Sequence, residues 1–484
     1  MQDKPKPHRA LLACGALSVI ALAGCQRYRS QPLDLDAHHV ALSTRLNDRD
    51  SIADFLDRLA EQGAAAPDHF DPADGLSREE GEILALFYNA DLRHARLDAG
   101  IALATADNAG LWQDPTLGFN GTELLSPSGP FEYGLTLGLT LPISGRLGIE
   151  QDRADAAYHT ELRRIVDMEW DTRAAVRSAW AEWSAAETHS KLIRETIDRI
   201  EQVESVTAKL ESIGELTRVE ARLVRAETAR FKAYAIEDEL NRIGLRSTLL
   251  GLMGLPGDAD VTLLPDLRTD APISLDNPID QLIRRNTLLG VKRAEYQTAE
   301  DSLRLEIRKQ YPDLQIGAGY GSENNDDRLL LGASIAIPVF NANRAGIAEA
   351  RAERERSRAA AETTFESLTR QLARAQAKYA ATKAQLDTYE SVLVPMLDEQ
   401  YREITHLLEL GEVETLLLLE TLTRQQDAMS TLIDLKTAEA LAQIEIERLL
   451  GPDRPLLPSP VASETHTQST PSKTTTTHTK GGDQ

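Results

Sequence analysis

The chain carries an internal duplication, which constrains its fold more than any other feature of its 484 residues. The stretch LTLPISGRLGIEQDRADA, which contains Pro142, recurs as IAIPVFNANRAGIAEARAE, which contains Pro338. Further matches, such as Pro115 with Pro312, keep an offset of 196 to 198 residues. A constant offset over this distance predicts that one structural unit occurs twice in succession.

Each copy contains two segments with the periodicity of a β-strand. In FEYGLTLGLTLP, Tyr133 and the leucines occupy one parity, while glycines and threonines occupy the other. Because successive side chains of a strand point to opposite faces, one face is apolar and the other is small and weakly polar. One such segment favours a strand of a soluble sandwich. Four of them, each about 9–11 residues long, favour strands that cross a membrane as part of a barrel.

The rest of each copy is predicted to be helical. No proline or glycine occurs from Ile149 to Ile213, which predicts roughly 95 Å of helix at 1.5 Å per residue. Apolar residues at three- and four-residue spacing from Ile193 onwards predict a coiled-coil seam. Gly214 then ends the helix, and a second helix completes a hairpin. The second copy has a matching hairpin with its tip at Gly411.

The predicted unit is therefore a helix, two strands and a helical hairpin. Pro142 and Pro338 lie where a strand meets the long helix, and proline suits this junction because it has no N–H to donate to a strand ladder. Four strands cannot close a membrane barrel, and an open sheet edge in lipid leaves backbone groups unpaired. We therefore expect the chain to oligomerise, with strands in lipid continuing into helices in water.

The N-terminus has the features of a lipoprotein signal peptide. Basic residues precede an apolar run from Ala10 to Leu22, which is too short to span a bilayer. The run ends in Leu-Ala-Gly-Cys25, which resembles the bacterial lipobox. This implies removal of residues 1–24 and attachment of lipid, including palmitate, to Cys25. Gln26 stands where an aspartate would resemble an inner-membrane retention signal, which favours the outer membrane. A chance cleavage site with an incidental cysteine is the alternative.

Two segments outside the duplicated units differ in composition from them. Residues 25–80 are predicted to form an irregular, acidic lead-in, and Ser77 with Glu80 offers a capping box for a helix that runs to about Ala109. Residues 453–484 are rich in proline, serine and threonine, which predicts a disordered tail.

Charge and motifs exclude several classes of function. The net charge of −23 argues against nucleic acid or an anionic membrane surface as the main partner. The sequence has no GxSxG, P-loop, HExxH or CxxC motif, so we expect neither an enzyme nor a cofactor. His38 and His39 lack the spacing of a metal site. Trp170, Trp180 and Trp183 have the spacing of residues that pack between helices.

Taken together, the duplicated unit, the LTLPI and IAIPV junctions and the glycine-tipped hairpins resemble the TolC-type outer-membrane efflux proteins over about residues 80 to 451. The resemblance implies a mainly α fold with a small membrane β part, with efflux repeats at 81–256 and 276–452. Three copies would form a twelve-stranded β-barrel continuous with a long α-helical barrel in the periplasm. The implied function is the outer-membrane channel of a tripartite efflux or type I secretion system. An inner-membrane pump and a periplasmic adaptor would deliver substrates, which the channel conducts passively.

The same resemblance implies where the functional residues lie. The adaptor would contact the two hairpin tips, at Gly214, Glu215, Leu216, Gly411, Glu412 and Val413. In the family, acidic residues of the second copy form inward-facing rings near its tip. At six and nine positions past the tip glycine this chain has Leu417 and Glu420, so only Glu420 keeps the acidic character, and Glu414 is a candidate substitute. A solvated helix face is the alternative for each carboxylate, and a simple turn is the alternative for the tips.

Two other functions compete with the channel. A structural or adhesive outer-membrane lipoprotein would form a coiled-coil stalk without a pore, but a stalk has no use for four alternating segments of bilayer length. A lipid-anchored periplasmic enzyme would need catalytic residues that the sequence does not offer. No motif identifies the cargo.

Overall fold

A computed structural model describes residues 28–61, 70–123, 125–126, 131–268, 276–324, 326–409 and 415–453. The chain divides into two units, residues 1–45 and 46–484. The described part of the first unit contains helix α1 (Leu35–Ser43), which Asp34 caps by accepting a hydrogen bond from the N–H of Ala37 at 2.9 Å. His38 and His39 are exposed on α1, and the described residues include no group of side chains that could hold a metal ion.

The second unit repeats one series of elements. The first repeat contains α3 (Arg78–Tyr88), α4 (Ala90–Asp107), β1 (Thr116–Thr122), β2 (Glu132–Leu141), α5 (Arg146–Ile213) and α6 (Arg218–Leu252), preceded by α2 (Arg49–Glu61). The second contains α7 (Pro278–Arg285), α8 (Thr287–Arg308), β3 (Leu314–Glu323), β4 (Asp326–Ile335), α9 (Arg344–Thr388), α10 (Val394–Glu409) and α11 (Thr415–Leu450). A wide π-helical turn, Tyr389–Leu393, joins α9 to α10. The predicted fold class, mainly α with a small β part built from a duplicated unit, is confirmed.

Each repeat begins with two helices where the sequence predicts one, because a buried asparagine separates them. Asn89 ends α3 and caps α4, and its Nδ2 donates to the carbonyl of Leu252 at 3.1 Å. Asn286 separates α7 from α8 in the same way and donates to the carbonyl of Leu449 at 2.9 Å. Each asparagine thus joins the start of its repeat to the end of the repeat's last helix.

A glycine with positive φ follows the last helix of each repeat. Gly254 has φ +69°, and a Cβ there would lie 2.5 Å from the carbonyl oxygen of Tyr88. Gly451 has φ +84°, and a Cβ there would overlap the carbonyl of Arg285. Both positions require glycine, because the left-handed conformation and the close approach of backbone each exclude a side chain.

The lead-in is more ordered than the sequence analysis predicts. Helix α2 buries Ile52, Phe55 and Leu59 along one face, and these residues join a core built from α3, α4, α5 and α6. Trp180 of α5 is fully buried in this core and donates from Nε1 to the carbonyl of Leu264 at 3.0 Å. The prediction of an irregular segment is therefore wrong at α2, whose short apolar stripe is stabilised by tertiary packing.

Several local predictions are confirmed. Ser77 and Glu80 form the capping box, with the Ser77 N–H donating to Glu80 Oε2 at 2.8 Å. Helix α5 runs unbroken for 68 residues. Trp183 is buried beside Trp180, as expected of helix packing. Within the described ranges, none of the helices combines the length and the apolar character needed to cross a membrane.

The four strands form one antiparallel sheet in the order β1-β2-β3-β4. The central pair, β2 and β3, comes from different repeats, with Leu141 opposite Leu314. Within the described residues, β1 and β4 each pair on one side only, so both edges of the sheet are open. The sheet therefore unites the two repeats and ends without closure.

Replacing Gly254 or Gly451 with alanine is expected to destabilise the protein by more than about 2 kcal/mol, because strain at positive φ adds to a clash with backbone. Gly214→Ala is the matched control, since Gly214 has φ +84° but open space around the Cβ position. This control is expected to cost only about 1 kcal/mol. Denaturant unfolding of the detergent-solubilised variants measures the difference. Equal losses for all three variants would contradict the clash.

Candidate functional site

The sheet has two chemically distinct faces, and its register makes each face continuous. Residues directly opposite in neighbouring strands share a face. Three middle rows of one face are apolar apart from the tyrosine hydroxyl: Phe119, Leu135, Tyr320 and Leu329; Leu117, Leu137, Ala318 and Leu331; Leu139, Ile316 and Ala333. At the hairpin end of the same face lies a more polar row, Gly121, Tyr133, Ser322 and Asp327. Many of the apolar side chains are exposed, among them Leu331 at 77%. A solvated surface of this composition is unfavourable, so the face requires an apolar environment.

The opposite face is built mainly from small residues, with Arg328 and Leu330 of β4 as the larger side chains of its middle rows. These rows are Asn120, Gly134, Gly321 and Arg328; Gly118, Thr136, Gly319 and Leu330; Thr116, Gly138, Gly317 and Gly332. Glycine and threonine leave this face nearly flat and weakly polar. An apolar face on one side and a smooth polar face on the other are typical of a barrel wall between lipid and a water-filled lumen.

Both predicted strand–helix junctions lie where the sheet meets the long helices. Pro142 follows the last residue of β2, and α5 begins four residues later at Arg146, whose Nη2 lies 3.1 Å from Asp313 Oδ2. Pro338 lies three residues after Ile335, the last residue of β4. At that junction, Asn343 precedes α9 and donates to the carbonyl of Glu306 at 2.8 Å. Polar contacts with the second repeat therefore fix the direction of both long helices.

The first hairpin tip is a tight glycine turn. Gly214 donates to the carbonyl of Glu211 at 3.2 Å, and Glu215 donates to that of Leu210 at 3.0 Å. Thr217 and Glu220 then form a capping box that starts α6, and these hydrogen bonds from Thr217 lower the pKa of the Glu220 carboxyl. The turn thus places the predicted contact residues Gly214, Glu215 and Leu216 at the end of the α5–α6 hairpin.

Exposed apolar side chains surround this tip. Ile213 is 71% exposed, Val219 is 76% exposed, and Leu223 is also exposed. Ile193 and Ile200, further from the turn on the same helix, are buried. The apolar seam predicted from Ile193 onwards is therefore packed far from the turn and exposed at Ile213. Exposed apolar residues at the end of a hairpin are a surface suited to contact with another protein.

The second tip, with Gly411, Glu412, Val413 and Glu414, lies outside the described residues, as does Cys25. The helices behind the two tips pack together through one apolar cluster, formed by Ile200, Val203, Val224, Phe231, Ile404, Leu418 and Leu422. This cluster holds α5 and α6 against α10 and α11, so the two hairpins form one four-helix assembly just above the tips.

Glu420 lies on the exposed face of α11. Its side chain is 53% exposed, and its Oε1 lies 2.6 Å from Nη2 of Arg424, one turn further along the helix. Leu417, at the other ring position implied by the family, is also exposed. Sequence reasoning missed Arg424, although an acidic residue four positions before a basic one on a helix is a readable signal of an ion pair.

The comparisons with known proteins agree with this architecture. Residues 279–452 match the family model described as outer membrane efflux protein. The cobalt-zinc-cadmium resistance protein CzcC of Cupriavidus metallidurans is 20% identical over 319 residues, which cover 65% of this chain and 76% of that protein.

Two solved structures show a similar fold. A membrane protein from Pseudomonas aeruginosa superposes with a TM-score of 0.68 at 18% identity, over 80% of this chain and 94% of its own. CusC, whose structures concern folding and transmembrane channel formation, superposes with a TM-score of 0.66 at 17% identity, over 77% of this chain and 92% of its own.

Leu135→Arg is expected to prevent stable membrane insertion, because a charge on the lipid-facing side of a barrel strand costs about 2–4 kcal/mol near the bilayer midplane. Gly134→Arg is the matched control, because Gly134 precedes Leu135 on the opposite face and has open space where a Cβ would lie. The amount of each variant in a washed membrane fraction measures insertion. Equal loss of both variants, or of neither, would contradict the assignment of the two faces.

Proposed function

We propose that this chain is a member of the TolC-type family of outer-membrane efflux proteins and that it forms the outer-membrane channel of a tripartite efflux or type I secretion system. An inner-membrane pump and a periplasmic adaptor deliver the substrate, and the channel conducts it passively. The observation that carries this proposal is the two-faced sheet, which continues past Pro142 and Pro338 into the long helices α5 and α9. In the proposed channel, these helices extend into the periplasm.

The open sheet edges support a closed ring of several copies. In lipid, the unpaired backbone groups of β1 and β4 would have no water to bind, at a cost of several kcal/mol each. Because β1 and β4 run antiparallel, the β4 edge of one copy can pair with the β1 edge of the next and preserve the antiparallel order. The family resemblance favours three copies, which give twelve strands.

The unequal surroundings of equivalent helices support the same ring. Helix α8 packs between α5 and α9, whereas its counterpart α4 packs mainly on α5. Likewise, α11 packs between α5 and α9, whereas its counterpart α6 packs almost entirely on α5. In the second repeat, α9 covers one face of α8 and one face of α11. The corresponding faces of α4 and α6 in the first repeat are left open. In the ring, α9 of a neighbouring copy covers them.

One residue pair makes this arrangement testable. Thr298 of α8 lies with its hydroxyl oxygen 3.1 Å from that of Thr160 on α5. With an offset of 197 residues, the residue of the first repeat that corresponds to Thr298 is Ile101 of α4, which is 67% exposed. The residue of the second repeat that corresponds to Thr160 is Ser357 of α9. Ile101 of one copy is therefore expected to lie close to Ser357 of the next.

We expect Ile101→Cys combined with Ser357→Cys to cross-link into two- and three-chain products with a short bifunctional maleimide. The matched control combines Ile101→Cys with Gln371→Cys, which is exposed on α9 about 21 Å further along the helix. Denaturing electrophoresis of treated membranes measures the products. Exclusive monomers for the first pair, or equal cross-linking of the control, would contradict the proposed ring.

The partners and the anchor complete the proposal. The exposed apolar residues Ile213 and Val219 beside Gly214 provide the surface for the adaptor at the first tip, with Glu215 and Leu216 in the turn. Gly411, Glu412 and Val413 form the corresponding contact at the second tip.

Cys25 carries lipid in the outer membrane. Intact-mass measurement of the mature protein detects this lipid, and an unmodified N-terminus at another residue would contradict the anchor.

Divalent metal ions are the first substrates to test, because the relative from Cupriavidus metallidurans is named for cobalt, zinc and cadmium resistance. A strain lacking this protein is expected to become sensitive to at least one of these ions and to recover when wild-type protein is supplied. The Leu135→Arg variant is the matched negative control. If the strain lacking this protein becomes sensitive only to organic toxic compounds, the assignment of divalent metal ions as substrates is wrong. Purified trimers that insert but pass no current in a planar bilayer would favour a non-conducting stalk.

A further inference from the structure

Helix α11 exposes a single narrow stripe along its length. Other helices, mainly α5, α9 and α10, pack around its remaining faces. Among its described side chains, those classed as exposed are Leu416, Leu417, Glu420, Arg424, Asp427 and Asp434. From Leu417 onwards they follow one another at spacings of three, four, three and seven residues, so they lie on one face. Glu420 therefore shares its environment with all of them.

The stripe carries one basic residue, Arg424, which lies between the acidic residues Glu420 and Asp427. Glu420 and Arg424 form an ion pair at 2.6 Å, with the side chains 53% and 64% exposed. An exposed pair of this kind is weak, so the contact opens and closes readily. The sum of the two charges is nevertheless zero whether the pair is open or closed, and they stay within one helical turn of each other.

The next carboxylate on the stripe has no such compensation. Asp427 is exposed and forms no ion pair with any residue that the structure describes. It lies seven residues after Glu420, about 10 Å further along the helix. Asp434, still further along, lies 3.0 Å from Nε2 of His189. Among the described residues of this stripe, the first uncompensated negative charge is therefore that of Asp427.

We propose that Arg424 is a selectivity-determining residue of the channel, because it cancels the field of Glu420 at the periplasmic entrance. This inference rests on the proposed function, in which the exposed stripe of α11 faces the lumen. In three copies, the charges of Glu420 and Arg424 sum to zero, and the apolar side chain of Leu417 lies on the tip side of this pair. Uncompensated negative charge begins at the level of Asp427.

Four variants in planar bilayers separate this proposal from a simple acidic ring. Arg424→Gln leaves three uncompensated carboxylates and is expected to raise the cation-to-anion permeability ratio about two- to fivefold at ~0.1 M salt. Glu420→Gln leaves three uncompensated guanidinium groups and is expected to lower the ratio by a similar factor. The double variant Glu420→Gln with Arg424→Gln is neutral at this level and is expected to keep the wild-type ratio. Asp427→Asn is expected to lower the ratio.

The matched control is another exposed i, i+4 pair, Asp280 with Arg284 on the short helix α7, joined at 3.0 Å. Asp280→Asn and Arg284→Gln are expected to leave the ratio unchanged. If Glu420→Gln lowers the ratio while Arg424→Gln has no effect, Glu420 alone faces the lumen and the proposal is wrong. If neither changes it, the stripe faces outwards and the proposal is wrong, although the channel stands. If wild-type trimers pass no current, the proposed function fails, and with it the proposal on Arg424.

Discussion

The pairing of backbone groups at the edges of the sheet is the constraint on which the rest of the structure depends. A four-stranded sheet whose middle rows are apolar on one face is suited to lipid, but within the described residues the outer edges of β1 and β4 have no partner strand. Lipid offers no hydrogen bonds to unpaired N–H and C=O groups, so the strands are stable there only in a closed ring. Helices α4 and α6 each leave one face open in the single chain. In the proposed ring, a neighbouring copy covers these faces as well.

The duplication provides the geometry for such a ring from repeated local devices. Asn89 and Asn286 each join the first helices of a repeat to its last helix, and Gly254 and Gly451 allow the chain to pass closely over Tyr88 and Arg285. Equivalent buried contacts hold both repeats in the same internal arrangement. What differs between the repeats is surface chemistry: Ile213 and Val219 are exposed beside the first tip, whereas the ion pair of Glu420 with Arg424 is exposed on the last helix of the second hairpin.

The sequence alone predicted the features that depend on local periodicity. The alternation from Tyr133 to Leu141 fixes which side chains share a sheet face, and the absence of proline and glycine from Ile149 to Ile213 predicts the long helix. The break at Asn89 was missed because asparagine is tolerated within helices, and its role as a cap appears only through the contact with Leu252.

Other features depend on tertiary contacts that no local pattern reports. Helix α2 is ordered because Phe55 packs into a core shared with Trp180, more than a hundred positions away in sequence. At the candidate entrance, Glu420 was predicted from its distance to the tip glycine. Its partner Arg424 was overlooked, although the i, i+4 spacing was readable. The family pattern directs attention to the carboxylate alone, whereas the electrostatics of the helix face depend on both charges.

The pairing of β2 with β3 has a consequence for how the protein folds. These central strands lie about 170 residues apart, and a complete helical hairpin separates them. Contacts between residues so distant in sequence form slowly, because a long loop must close first, whereas the helical hairpins close through local contacts. We therefore expect the helical hairpins to form before the sheet. In that order, the water-exposed helices would already be in place when the apolar strands pair.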